Sequence, residues 1–332
     1  MMRIAINSYP FNKYFHDGPK VFLDRLTDSI NNQKLAQITS NYSPNYAVAL
    51  FSVTKKFSFF KPYFLRVDGI YFDKFSSTAG TELENKKIFM SIEGAHGIIF
   101  ISEFCKKIVE KFHKKIQKPF KIIHNGVPLN LFRPYGVNYR KKLGFSKKDK
   151  VLVTSAHWRR HKRLPETIKL LRILNEKYNN SFKLIVLGKT EIKKIEEKNI
   201  FYIGEVSPKN LSPWYRTGDA YIHLAWIEPC GNTQIEAMAC GLPVLCCNNG
   251  GIGETVEKAT GGIVSQCDKL YKFEKVDYYN PPEPNYDTLI KDINFIFKNL
   301  DKFKRNINFS YLDINSKAKE YIMFMEKNYV KD

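Results

Sequence analysis

The stretch from Ala220 to Cys247 leaves the chain few ways to fold. Ala220 to Ala225 (AYIHLA) is an apolar run short enough for a buried strand. Gly231-Asn232-Thr233 then opens a helical run, Thr233 to Cys240, with apolar Ile235, Ala237, Met238 and Ala239. Gly241-Leu242-Pro243 stops that run, and Val244 to Cys247 (VLCC) is a second buried strand. Strand, turn, helix, strand is a parallel-sheet unit with a ligand-sized crevice at the carboxyl end of its first strand. The helix start at Asn232 and Thr233 presents backbone N–H groups without partners, a natural seat for phosphate. Glu228 stands in the loop before this helix and Glu236 one turn into it.

Acidic side chains beside an anion seat make sense when the ligand also carries hydroxyls. A nucleotide sugar carries both, a diphosphate for the amides and sugar hydroxyls for the carboxylates. The same pair, taken alone, also reads as a solvated helix residue and a loop carboxylate. Glu228 and Glu236 with seven residues between them, Gly231 at the helix start and Gly241-Leu242-Pro243 at its end resemble the retaining family 4 glycosyltransferases of the GT-B fold. The resemblance runs from about Val151 to Val264 and is looser over residues 1–135. It implies an α/β chain with two doubly wound, Rossmann-like domains facing across a cleft. It also implies transfer of a hexose from a nucleoside diphosphate sugar, of UDP or GDP type, to a glycan or lipid-linked glycan in surface polysaccharide or lipopolysaccharide synthesis. By resemblance Glu236 binds the ribose hydroxyls, while Glu228, Gly231, Asn232 and Thr233 hold the sugar and phosphate end. The family needs no metal, no cofactor beyond the donor, and no side-chain nucleophile.

A second informative stretch follows the strand expected over Lys150 to Ser155. Residues 156–164 read AHWRRHKRL, with five basic side chains, Arg159, Arg160, His161, Lys162 and Arg163, in a loop before a helix over Leu164 to Tyr178. Such a loop can bind a diphosphate, with Arg forked and Lys point-like; it can equally be a nucleic-acid patch or a solvated loop. The resemblance puts its Lys on Lys162 and its usual Arg on His157, a departure for which Arg159 or Arg160 can compensate from a shifted loop. Lys162 and Arg159 then neutralise the leaving diphosphate, and the Gly204 turn packs on the base.

The 332 residues suit two domains. The expected partition is an acceptor-side domain over 1–135 and a nucleotide-sugar domain over 136–314. The stripe Ala318, Tyr321, Ile322 and Met325 fits a last helix, within 315–330, that packs back on the first. In the first domain, Gly18 stands where a loop meets a helix, the place of the family's phosphate-facing loop. Pro19 after it has no N–H to donate, which weakens an anion-binding role and leaves a plain turn as the alternative. Arg66 and Asp68 end a strand expected over Lys61 to Ile70. Both are acceptor-side candidates, with an internal Arg66–Asp68 pair as the alternative. Ser102 and Glu103 cap a helix expected to reach Lys115, with Lys107, Lys111, Lys114 and Lys115 on or near one face. Tyr139 to Leu143 is expected as a short basic helix.

Charge is unevenly spread. Residues 1–150 hold 26 Lys and Arg against 11 Asp and Glu, a net +15, whereas residues 151–332 hold 27 against 22, a net +5. The basic half is drawn to anionic partners, a membrane face among them, or only keeps the chain soluble. No run of 18 apolar residues is present, and the six cysteines show no C-x-x-C pair. These features suit a cytoplasmic chain, one that can sit at the inner face of the membrane, with no metal cluster and no disulfide frame. Two rival readings remain: a nucleotide-sugar epimerase of the same fold, which needs no separate acceptor, and a basic nucleic-acid-binding protein. Against the latter, the basic residues are not interleaved with aromatics in any recognisable motif, and no nucleic-acid partner is expected.

Overall fold

Short runs of branched and aromatic residues become parallel strands, each returned to its sheet by a helix or loop. The computed structural model of the protein describes residues 1–6, 18–39, 47–52, 62–75 and 78–329. Two units form. One comprises Met1–Pro128, Phe273–Val276 and Asp313–Asp332, and the other Leu129–Lys272 and Asp277–Leu312.

The first unit contains β1 (Arg3–Ile6), α1 (Gly18–Asn32), β2 (Gln37–Thr39), β3 (Val48–Ser52), β4 (Tyr63–Val67), α2 (Thr78–Gly94), β5 (Gly97–Phe100), α3 (Glu103–Phe112) and β6 (Phe120–Ile122). The six strands are parallel in the order β2-β1-β3-β4-β5-β6. β3 and β4 are buried at every residue, as expected of strands covered on both faces. Ser102 caps α3 by accepting from the Cys105 N–H at 2.9 Å. The helix stops at Phe112, short of the expected Lys115. Glu110 accepts from the Ile116 N–H at 3.1 Å and Lys118 reaches the Ala95 carbonyl at 2.7 Å, which turns the chain away. Lys114 and Lys115 therefore do not share a helix face with Lys107 and Lys111, and Lys114 pairs with Glu93 at 3.1 Å.

The second unit contains β7 (Lys150–Ser155), α4 (Leu164–Lys177), β8 (Phe182–Leu187), β9 (Ile200–Gly204), α5 (Leu211–Tyr215), β10 (Ala220–His223), α6 (Thr233–Ala239), β11 (Val244–Cys247), α7 (Ile252–Lys258), β12 (Gly262–Ser265), α8 (Tyr286–Lys298), α9 (Leu300–Asn306) and α10 (Phe309–Leu312). Its six strands are again parallel, in the order β12-β11-β10-β7-β8-β9. Strand order runs outward in one direction from β7 and in the other from β10. The carboxyl ends of these two neighbours are thus the switch point where doubly wound sheets open a crevice. The Tyr139 to Leu143 segment makes a single hydrogen-bonded turn, Leu143 N–H to Tyr139 carbonyl at 2.9 Å, rather than a helix. The Arg140 side chain holds it there, bonding Asp219 at 3.0 Å and the Asp149 carbonyl at 2.8 Å.

The last helix, α11 (Ile314–Asn328), belongs to the first unit. Its Ala318, Tyr321 and Met325 are fully buried in the core that also holds Phe22 and Leu26 of α1. No helix of the described residues is long and apolar enough to cross a membrane.

Candidate functional site

The loop after β7 is fixed at both ends. The Trp158 indole is buried and donates to the Leu187 carbonyl at 2.8 Å. Arg160 to Lys162 then make one 3-10 turn. Arg163 follows in the left-handed region at φ 55° and is fully buried. Its guanidinium forks onto Asp268 at 2.8 and 3.0 Å and reaches the Pro282 carbonyl at 2.6 Å. Between these anchors Lys162 extends to Glu228, with Nζ 2.6 Å from Oε1.

Glu228 is set by its backbone first. Ile227 before it has φ 55°, a costly conformation for a β-branched residue, and is fully buried. The Trp226 N–H bonds the His161 carbonyl at 2.9 Å, and the Tyr278 hydroxyl bonds the Ile227 carbonyl at 3.1 Å. Gly250 bridges to Glu228 with φ 110°, and a Cβ there would lie 2.4 Å from the Glu228 carbonyl oxygen. The next amide, Gly251, donates to that oxygen at 2.8 Å. The carboxylate then lies between two cationic or donor groups, Lys162 on Oε1 and His223 Nε2 at 2.7 Å on Oε2. Burial alone would raise its pKa, but Lys162 and His223 outweigh that and hold the carboxyl well below the usual range. Glu228 is therefore ionised at neutral pH.

The five basic residues of the loop are not equivalent. Arg160 forks onto the buried Glu166 at 3.0 and 2.5 Å, so part of its charge is met by that carboxylate. Arg163 is spent on Asp268. His161 is buried and stacked on Tyr278, ring centroids 4.3 Å apart, and burial followed by Lys162 pushes its pKa down to about 3, leaving it neutral. Lys162 points at Glu228, and Arg159 lies half-exposed 3.8 Å from Glu191. His157 is on the same rim, 2.7 Å from the other Glu191 oxygen.

α6 carries the remaining expected residues of this unit. A Cβ at Gly231 would lie 2.4 Å from Gln234 Oε1, so a side chain there would displace the Gln234 amide. Gln234 is fully buried and donates to the Gly231 carbonyl at 2.8 Å. The Asn232 carbonyl accepts from the Glu236 N–H at 3.0 Å. Thr233 Oγ1 lies 2.8 Å from the Tyr221 hydroxyl, and Glu236 Oε2 receives the buried Tyr215 hydroxyl at 2.9 Å. Glu236 is only 4% exposed, so it is no solvated helix residue. Gly204 closes β9, its carbonyl taking the Gly188 N–H at 2.7 Å.

The first-unit candidates stand apart from this cluster in sequence. Gly18 is the first residue of α1, and residues 7–17 before it lie outside the described residues. Asp68 pairs with the buried Arg66 and accepts from the Ser52 hydroxyl at 3.0 Å, while Arg66 reaches Asn125 at 2.8 Å. The internal Arg66–Asp68 pair is present, with the Asp68 side chain partly exposed.

Two features escaped the sequence reading. One is the polar row behind the site, Tyr215, Tyr221 and His223; the alternation of Tyr221 and His223 along β10, both facing one side, was its available signal. The other is a group of potential metal ligands, Cys247, Cys267 and Asp268, where none was expected. Both Asp268 oxygens are held by Arg163, whose Nη1 also lies 3.6 Å from the Cys247 sulfur, so a guanidinium already occupies the cation's place.

Residues 137–272 match the family model described as Glycosyl transferases group 1. An uncharacterized glycosyltransferase of Methanocaldococcus jannaschii is 23% identical over 212 residues, 60% of this chain and 52% of its own length. The chain spans about half the length of the curated relatives it matches. Sucrose-phosphate synthase from Thermosynechococcus elongatus superposes with a TM-score of 0.67 at 13% identity, over 99% of this chain and 96% of that one. Anabaena Alr3699/HepE, solved in complex with UDP and glucose, gives 0.66 at 14% identity over 98% and 99%. At such identities the likeness is one of fold. Two six-stranded parallel sheets clothed in helices, matched almost end to end by these proteins, are the GT-B fold, and residues 137–272 of this chain match its Glycosyl transferases group 1 family.

Proposed function

We propose that the protein is a retaining glycosyltransferase that moves a hexose from a nucleoside diphosphate sugar, of UDP or GDP type, to a glycan or lipid-linked glycan. The observation that carries this reading is the ionised Glu228 held against Lys162 at the switch point of the second sheet. A carboxylate there can take sugar hydroxyls. An ammonium has three donors, so Lys162 can keep Glu228 and still face a phosphate oxygen. The complex of the Anabaena protein with UDP and glucose supports the choice of ligand class.

In this reading the second unit receives the donor and the first unit the acceptor. Lys162 and Arg159 stabilise charge developing on the leaving diphosphate, which is electrostatic catalysis by groups already in place. Glu228 and the Gly231 to Thr233 segment orient the hexose, Glu236 holds the ribose, and His157 borders the entrance. No metal enters the scheme. The basic character of residues 1–150 suits contact with an anionic membrane face where a lipid-linked acceptor would reside.

The test is a thermal-stabilisation screen of nucleotide sugars, followed by product analysis with and without a glycan acceptor in EDTA. Stabilisation by one nucleotide sugar, and a new glycoside only when acceptor is present, is the expected result. A changed sugar nucleotide without acceptor would instead identify an epimerase, and loss of activity in EDTA would refute the metal-free scheme.

A further inference from the structure

The backbone of Glu228 is fixed by Ile227 and by the Gly250–Gly251 bridge, so its remaining freedom lies in its own side-chain torsions. The last of these, the carboxylate twist, is broad and two-fold in any glutamate. His223 is placed to remove that freedom. It is the last residue of β10, 3% exposed, and its Nε2 lies 2.7 Å from Oε2. Its ring is held in turn by Tyr221, two residues back on the same face of the strand. The two rings lie 6.1 Å apart at 13°, and the Tyr221 hydroxyl is 3.5 Å from Nδ1. That hydroxyl is tethered to the Ser155 carbonyl at 3.0 Å and to Thr233 at 2.8 Å. The imidazole thus stacks beside a ring that is itself anchored to β7 and to the start of α6.

We infer that His223 is a positioning residue for the donor site: by holding Oε2 it turns Oε1 toward Lys162 and fixes the carboxylate that meets the transferred sugar. This rests on the nucleotide-sugar reading above. The expected selectivity follows from where Glu228 acts. Loss of His223 should loosen the sugar end, while Lys162 keeps its charge for the phosphates. A group displaced from its working geometry by about 1 Å can lose on the order of a hundredfold in rate.

The experiment compares binding of UDP with UDP-glucose, and of GDP with GDP-mannose, to wild type, His223→Leu, His223→Gln and His223→Asn. Transfer is measured in parallel. Gln can present an amide N–H near the place of Nε2; the shorter Asn cannot. We expect His223→Leu to bind the sugar nucleotide about tenfold or more weakly, with binding of the free diphosphate within about twofold of wild type. Gln should restore most of the loss and Asn should not. In a Glu228→Gln background, His223→Leu should add little, because its effect passes through that carboxylate.

Equal weakening of diphosphate and sugar nucleotide, unchanged binding of both, or Gln and Asn behaving alike would overturn the positioning role. Should His223→Leu fail to fold, the Gln and Asn pair decides alone. A wild-type protein that binds neither sugar nucleotide would overturn the underlying functional reading, and the role with it; the wild-type control tells the two failures apart.

Discussion

Glu236 combines burial, charge and a neutral partner. Its carboxylate accepts from the fully buried Tyr215 hydroxyl at 2.9 Å, so truncation removes more than a ligand contact. Glu236→Ala should lose stability by about 1–3 kcal/mol, because Tyr215 loses that acceptor. Glu236→Gln keeps an acceptor for Tyr215 and removes the charge, so it should fold and still bind a nucleotide sugar roughly ten- to a hundredfold more weakly. Wild-type affinity in that variant, measured by titration, would remove Glu236 from the site. His161 yields a pH prediction. Its pKa is lowered from 6.5 to about 3, mainly by burial and next by Lys162, so the folded state resists its protonation. The associated stability is complete above about pH 6.5 and falls as pH drops from there toward 3. His161→Phe keeps a ring against Tyr278 and cannot protonate. Its melting temperature should decline less than that of wild type over this range, and parallel curves would show that other groups carry the acid sensitivity.

At the scale of elements, the loop after β11 shapes the loop after β10. Gly250→Ala must place a Cβ 2.4 Å from the Glu228 carbonyl oxygen at φ 110°. The backbone strain alone is on the order of 1–3 kcal/mol, and the steric clash adds to it, so the variant should melt lower and bind nucleotide sugar poorly. A variant as stable as wild type would mean that this contact does not fix Glu228. The β10–α6–β11 unit was readable because apolar runs of strand length flanked a helix stopped by Gly-Leu-Pro. α7 was not, since its start at Ile252 is embedded in Asn248 to Glu254, whose glycines read as a turn. The end of α3 was hidden too: Lys114 and Lys115 are good helix formers, and it is the Glu110 bond to the Ile116 amide that diverts the chain. The basic loop showed its five charges but not their partners. Arg163 pairs with Asp268, 105 residues away, and no local pattern announces such a pair.

At the scale of the whole molecule, the excess charge and the proposed site fall in different halves, a net +15 over residues 1–150 and +5 over the rest. The first half should therefore serve partners of the acceptor side. Lys107, Lys111, Lys114 and Lys115 are exposed, although only the first two lie on α3. Replacing all four by Glu should reduce sedimentation with anionic vesicles and leave nucleotide-sugar binding unchanged. Vesicle binding that persists, or that wild type lacks at low salt, would assign this charge to solubility alone. In the proposed function, the switch point of the second unit seats the diphosphate of a sugar nucleotide against Lys162. The most direct measurement is calorimetric titration of wild type and Lys162→Ala with a nucleoside diphosphate and with the bare nucleoside. The claim predicts that Lys162→Ala weakens the diphosphate about tenfold or more while the nucleoside binds as before; equal weakening of both ligands, or of neither, would contradict it.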